Sequence, residues 1–368
     1  MQDKEILCHL RTLPCRITLL PRTMKVIAID EFGPPENFFE EQRDIPRPEA
    51  EEVLMRIRAG SFNPVDFKIR QGRFGGNLPI VLGHDAAGVI AEVGSAVSRL
   101  RIGDEVWAYL GGPCSNGAYA EYVCLPQEFV TVRPRILSFE EAASVPVAGL
   151  TANQCIRLKA KPTPNDSVFI AGGSGGFGSA AIQILQMIGV EKIVTTSGRE
   201  ASTQFIVDQL RLSPEQVIDY RGKGLKQLTR EAIAANGGAF FDKTLDFVGG
   251  EMKRLCFELV DFDGDIVSTV EEIDPFTVPV WHGRASPLFR RSASLHFFLL
   301  GARSLYGSRE TWPGYTQQLH ELTFLYEAQR LWPVGVQNVG ELSAETIRRG
   351  HEMLEAGGIQ GKLIFTVP

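Results

Sequence analysis

Gly173-Ser174-Gly175-Gly176-Phe177-Gly178 is the segment whose residue types and spacing most directly imply chemistry. It has the form GxGxxG. In a chain with 37 glycines the pattern alone arises by chance. Here an apolar run, Val168-Phe169-Ile170, precedes it, and Ala180-Ala181-Ile182-Gln183-Ile184-Leu185 follows. A strand, a glycine turn and a helix in that order make a dinucleotide cradle. Gly173 would permit the tight turn, Gly175 would let the backbone approach a pyrophosphate, and Gly178 would allow close helix–strand packing. The helix start offers free N–H groups and a positive dipole end to the phosphates.

The next strand selects between dinucleotides. An NAD-type fold carries an acid about 20 residues beyond the glycines, on the ribose 2′-OH. Here that strand ends Val194-Thr195-Thr196-Ser197-Gly198-Arg199, with no acid at its tip. A carboxylate there would repel a 2′-phosphate, whereas the Arg199 guanidinium would bind it through charge-assisted hydrogen bonds. The expected cofactor is therefore NADP(H), with Ser197, Arg199 and Tyr220 at the adenosine end.

The elements that must position these residues follow from the rest of the chain. With 368 residues, 44% hydrophobic and 22% charged, it can bury a sizeable core, and at roughly 100–200 residues per domain it reads as two domains. A net charge of −6 predicts no basic face for nucleic acid. No apolar run reaches the length of about 18 residues that a membrane span needs. The six cysteines are scattered, without a CxxC pair, which fits a reduced, cytoplasmic setting and argues against structural zinc. Residues 1–23 read as an extension of unassigned role.

From residue 24 to about 130 the pattern is β-rich, with apolar runs at Val53–Ala59, Gly88–Val93, Asp104–Tyr109 and Ala118–Leu125. Ser138 with Glu141 forms a capping box that opens a helix. Strands then alternate with helices. Strands are expected at Ser167–Ala171, Lys192–Thr196, Gln216–Asp219, Lys243–Phe247, Ile266–Val270 and Ser294–Leu300. Helices are expected at Ser179–Ile188, Ser202–Leu210, Lys226–Ala235 and from Glu251 onward. That alternation predicts a parallel sheet. Helices near Tyr315–Arg330 and Ala344–Ala356 and a strand at Lys362–Thr366 close the chain.

Several stretches together resemble the medium-chain dehydrogenase/reductase superfamily, and within it the zinc-free quinone oxidoreductases. They are Ala59-Gly60-Ser61-Phe62-Asn63-Pro64-Val65-Asp66, Gly83-His84-Asp85-Ala86-Ala87-Gly88, Val93-Gly94, Gly103-Asp104-Glu105-Val106, Gly117-Ala118-Tyr119-Ala120-Glu121-Tyr122, Ala148-Gly149-Leu150-Thr151-Ala152, Asp246-Phe247-Val248-Gly249-Gly250 and Gly361-Lys362-Leu363. The resemblance covers roughly residues 24–368. It implies an α/β protein, with a GroES-like β-rich catalytic domain from 24–150 and 305–368. A doubly wound Rossmann domain with a parallel sheet, 151–304, would be inserted between them.

The resemblance also implies a site. Thr151 would meet the nicotinamide mononucleotide end of the cofactor, and Val248, Ser268 and Thr269 the nicotinamide ring. Asn63 would contact the nicotinamide ribose or donate to a developing oxyanion, with Asp66 orienting its loop. Family members often carry a tyrosine just after this stretch; Phe67 and Lys68 stand there instead, which leaves the proton donor among Lys68, Arg70 and water. The zinc-binding members use a Cys, a His and a second Cys or acid. The corresponding residues are Asn63, His84 and Val147, so one ligand remains and no metal is expected.

Without a Lewis acid, reduction of an already electrophilic acceptor is easier than oxidation of an alcohol. The expected activity is NADPH-dependent reduction of a quinone or similar carbonyl acceptor. The alternatives are an enone or enoyl-thioester reductase and a non-catalytic NADPH sensor. The aromatic-rich stretch 281–310 (Trp281, His282, Phe289, Phe297, Phe298, Tyr306) is the expected pocket and interface region. An apolar sheet edge at Ser294–Leu300 would aggregate if left bare, so a homodimer is expected.

Overall fold

The computed structural model describes residues 21–272, 282–333 and 335–368. Residues 1–20 of the expected extension, and Trp281 of the expected pocket, lie outside the described residues.

Strands from residues 52–132 and from residues 336–366 meet in one sheet. Its strands lie in the order Val336–Glu341, Lys362–Thr366, Glu52–Ser61, Asp85–Val93, Glu105–Tyr109 and Val130–Val132, and Tyr122–Pro126 also pairs with Glu52–Ser61. Glu52–Ser61 is flanked on every side, and its sequence EVLMRIRAGS is accordingly buried almost throughout. Its end delivers Ser61, Phe62 and Asn63 to the start of the short helix Pro64–Arg70. A three-stranded sheet, Phe39–Asp44, Thr23–Ile29 and Ile80–Val81, covers one flank.

The second sheet is parallel and holds Ser167–Ala171, Lys192–Ser197, Val217–Asp219, Phe241–Asp246, Val260–Ser268 and Ser294–Phe297. Across the sheet they run third, second, first, fourth, fifth, sixth. Such an order reverses direction beside the first strand, where a crevice opens beyond the strand ends. Ser167–Ala171 is buried along its whole length, as parallel strands covered on both faces must be. Helix Gly176–Ile188 buries Ala181, Ile182, Ile184 and Leu185; each large side chain contributes about 1.5–3 kcal/mol by leaving water.

Some boundaries differ from the sequence reading for identifiable reasons. The helix expected from Ser179 opens at Gly176, directly out of the glycine turn. The strand expected from Ala118 begins at Tyr122, because Ala118 and Tyr119 donate their N–H groups to the carbonyls of Gly83 and Leu82. The buried helix Pro146–Gln154 and the π-helical turn Cys155–Ala160 were not anticipated. Neither was Val336–Glu341, a polar edge strand of sequence VQNVGE.

Candidate active site

The glycine turn closes tightly around its own backbone. The left-handed residue is Gly172, at φ +81, rather than Gly173 as the motif suggests. Gly173 is required for a different reason: a Cβ there would stand 2.3 Å from Thr195 Oγ1, which is held by the Ile170 carbonyl. Gly178 does permit the close approach, since a Cβ would stand 2.2 Å from the Gly172 carbonyl oxygen. At Gly175 a Cβ would meet the Gly172 carbonyl oxygen at 3.7 Å, an ordinary contact. Among the described residues no side chain caps the helix that starts at Gly176, and an uncapped helix start can offer N–H groups to an anion. Phe177 packs edge-on against Phe247 at 6.0 Å.

The tip of the second strand brings Ser197, Arg199 and Tyr220 together. The Ser197 hydroxyl donates to the Arg199 carbonyl at 3.0 Å and accepts from Thr203 Oγ1 at 3.0 Å, so it is a buried support. Tyr220 is 41% exposed, and its hydroxyl lies over Gly198, 2.3 Å from where a Cβ would stand. Arg199 is exposed, with its guanidinium against Gly358. The nearby carboxylate of Asp219 belongs to Arg221, whose hydrogen bonds push its pKa down to about 2.

At the end of the fourth strand Asp246 organises the crevice. Its Oδ1 accepts from the N–H groups of Val248 and Gly249, and its Oδ2 from Ser268 Oγ at 2.7 Å. The Thr269 N–H reaches the Asp246 carbonyl at 3.2 Å. Ser268 is thus a support with its hydroxyl occupied, while Val248 stands 51% exposed above Gly172. Thr151 is buried within Pro146–Gln154.

Asn63 is tied into a buried polar network. It is 1% exposed, its amide donates to Asp85 Oδ2 at 2.8 Å, and its Oδ1 accepts from Lys362 Nζ at 2.5 Å. A buried amide must satisfy its polar atoms, and here protein groups on both sides of it do so. Asp85 is the hub: Oδ2 also accepts from Ser61 Oγ at 2.7 Å and faces Lys362 Nζ at 3.3 Å, while Oδ1 accepts from Val147 N–H at 2.7 Å. Sequence reasoning placed Asp85 and Lys362 in family-like stretches but gave neither a role. Lys362 joins the two halves, because its stem packs on Gly176 while the Gly361 N–H donates to the Ser174 carbonyl at 2.8 Å.

Asp66 is fully buried and bridges two neighbours. Its Oδ2 accepts from the Asn63 N–H at 2.8 Å, and its Oδ1 lies 2.6 Å from His84 Nδ1. Burial pulls the His84 pKa down, but the Asp66 charge and hydrogen bond outweigh it and leave the value raised. Arg70 is excluded as a proton donor: it is 1% exposed and bonds Gly33 O and Glu355. Lys68 is half-buried, and its pKa is lowered by burial and then by Arg73, against the pull of Glu271 and Glu272.

Zinc does not fit these residues. Asn63, His84 and Val147 offer one imidazole, and among the described residues no three His, Cys, Asp or Glu side chains gather in a metal-holding group. In the stretch expected as pocket and interface, Phe289, Phe297 and Tyr306 are 65%, 74% and 83% exposed. Phe298 instead packs against the main core.

Comparison with known proteins agrees with this geometry. Residues 49–135 match the alcohol dehydrogenase GroES-like domain. The chain is 33% identical to the 2-methylene-furan-3-one reductase of Solanum lycopersicum over 70% of its length and 64% of that protein. It is 32% identical to the chloroplastic NADPH-dependent alkenal/one oxidoreductase of Arabidopsis thaliana, over 70% of its length and 65% of that protein. It thus spans just under two thirds of each of these relatives. The solved quinone oxidoreductase of Coxiella burnetii is 30% identical, covers 94% of this chain and 100% of its own, and superposes with a TM-score of 0.76. An inserted parallel sheet, a GroES-like unit and a glycine-turn cradle place the chain in the medium-chain dehydrogenase/reductase superfamily.

Proposed function

We propose that the chain is an NADPH-dependent reductase that directs hydride to a conjugated carbonyl acceptor, a quinone or an enone, without a metal. The observation that carries this reading is an uncapped helix start after a glycine turn, with an exposed guanidinium and phenol at the tip of the neighbouring strand. NADPH bound there supplies the hydride. Gly173–Gly178 would hold the pyrophosphate, and Arg199 and Tyr220 the 2′-phosphate. Val248, Thr151 and Thr269 would wall the nicotinamide end. Ser197, Ser268 and Asn63 would hold those walls in place. Lys68 would set the charge at the mouth, facing Glu271 and Glu272. The catalytic unit would comprise 24–150 and 305–368 and the nucleotide unit 151–304, in a cytoplasmic protein.

NADPH oxidation over a panel of a quinone, an enone, an aldehyde and an enoyl thioester tests the reading. Turnover with the quinone or the enone, and preference for NADPH over NADH, are expected. Arg199→Glu should weaken NADPH about 10–100-fold, the loss of a charge-assisted hydrogen bond plus repulsion, and leave NADH nearly unaffected. Equal use of both cofactors by the parent chain would sink the assignment of Arg199.

Ser294–Phe297 is the outer strand of the parallel sheet, and Phe297 and Leu299 are 74% and 52% exposed. Pairing of two such edges is the proposed dimer contact. Phe297→Lys should yield a monomer by light scattering while NADPH affinity holds; a dimer that survives would move the interface elsewhere.

A further inference from the structure

The reduction above leaves negative charge on the acceptor oxygen, so a proton must arrive from somewhere in the site. Three groups read from the sequence or brought close by the fold are already committed, and a fourth, Lys68, carries its charge among other charges. Asn63 is bound on both sides of its amide. Arg70 is buried against Glu355. Tyr119 is fully buried, with its hydroxyl 2.9 Å from His351 Nε2. Lys68 faces the charges of Glu271, Glu272 and Lys253.

His84 differs from all of these. Its Nδ1 is fixed 2.6 Å from Asp66 Oδ1, and its side chain is 19% exposed beside a fully buried carboxylate. An ionised carboxylate only accepts, so the ring proton on that side belongs to Nδ1. Among the described residues Nε2 has no hydrogen-bond partner. The next residue, Asp85, reaches Lys362, whose stem lies on Gly176 of the glycine turn. The Lys362 charge also acts on the His84 ring itself, so the imidazole lies near the same lysine that packs on the glycine turn.

We propose, on the reading of the chain as a reductase, that His84 protonates the reduced acceptor through Nε2, with Asp66 as its positioning residue. As hydride from NADPH reaches the acceptor carbon, the conjugated electron pair moves to oxygen. The Nε2–H bond of the imidazolium breaks and an O–H bond forms, giving an enol from an enone, and from a quinone the keto tautomer of the hydroquinone, which becomes the hydroquinone when the new C–H proton is lost to water and the second carbonyl oxygen takes a proton from water. Neutral His84 then takes a proton from water, so the acceptor gains one hydride and one proton and NADPH leaves as NADP+. The charged groups facing the ring are Asp66 from Pro64–Arg70, Asp85 from Asp85–Val93 and Lys362 from Lys362–Thr366. Both carboxylates favour the imidazolium and the ammonium opposes it.

Imidazole NMR titration of the protein without cofactor, with His84 assigned from His84→Gln, is the first readout. The ring should titrate above the ordinary 6.5, and in Asp66→Asn it should move back down. The second readout is kcat against pH with the best acceptor of the panel. The parent should lose kcat as pH rises through the His84 pKa. His84→Gln should lose that limb and about 10²–10⁴-fold in kcat, the usual worth of a general acid, with NADPH Kd unchanged. If His84→Gln does not fold, Asp66→Asn decides: an alkaline limb displaced to lower pH supports the proposal, and an unmoved limb overturns it. Parent-like kcat and an intact limb in His84→Gln also overturn it, and leave the reductase reading standing. A parent chain that oxidises no NADPH with any acceptor overturns both.

Discussion

Lys362→Met is expected to cost about 3–5 kcal/mol of stability, the range for removing one partner of a buried ion pair. Lys362 Nζ donates to the Phe62 carbonyl at 3.0 Å and to Asn63 Oδ1 at 2.5 Å, and it faces Asp85 Oδ2 at 3.3 Å. All three of its donors are therefore used inside the protein. Asp85 is fully buried. Methionine keeps the apolar stem against Gly176, so the glycine turn retains its packing. What is lost is the positive charge, and the carboxylate is left with Ser61, Asn63 and the Val147 N–H as neutral donors. Asp85→Asn in the same chain removes the stranded charge, so the double variant should recover much of the loss. Urea unfolding of the parent, the single and the double variant measures both effects. If Lys362→Met unfolds at the parent's midpoint, the ammonium contributes nothing net and the network is held by its neutral hydrogen bonds.

The same network shows which parts of the site a sequence can reveal. Gly178 is legible because its neighbours in space, Gly172 and Gly173, are also its neighbours in the chain. Ser167–Ala171, Ala344–Ala356 and Lys362–Thr366 are legible to the residue because apolar periodicity and caps are local signals. Asn63 is legible as a site residue, but not its commitments, since its amide partners stand 22 and 299 residues away. The pairing of His84 with Asp66 spans 18 residues and a change of element; only the fold brings a strand entrance against a helix start. Asp246 is legible as part of a family-like stretch but not in its role, because it acts by collecting backbone N–H groups at a turn. Val336–Glu341 is missed for a different reason. It is an edge strand with one buried residue, so neither a continuous apolar run nor a clean alternation marks it.

Acidification should destabilise the protein through His351, beginning near pH 6.5 rather than in the carboxylate range. His351 lies on Ala344–Ala356 at 1% exposure, boxed by the rings of Phe38 at 4.8 Å, Tyr119 at 5.7 Å and Phe62 at 6.0 Å. Among the described residues its Nδ1 has no hydrogen-bond partner. Burial pushes its pKa from 6.5 to about 3; Asp66 opposes this and Arg70 adds to it. The unfolded chain therefore binds a proton that the folded chain refuses. The stability is fully present above the unfolded value and is lost as pH falls toward the folded one, by about 3 kcal/mol between pH 7 and pH 4. His320, whose pKa is also lowered by burial, adds to the loss in that range. Asp219, Asp265, Glu231 and Glu272, all held low by basic partners, contribute only nearer their ordinary values of 3.8 and 4.5. His84 acts in the opposite window. Its folded pKa is raised, so both states are protonated below 6.5, and its stabilisation is lost only as pH rises through the folded value. His351→Gln keeps an acceptor for the Tyr119 hydroxyl and removes the titrating ring. Thermal unfolding followed from pH 7 to pH 4 should then show a shallower fall in Tm for the variant, with the remaining slope belonging to His320 and the carboxylates. Identical slopes would mean that His351 already reaches water in the folded protein.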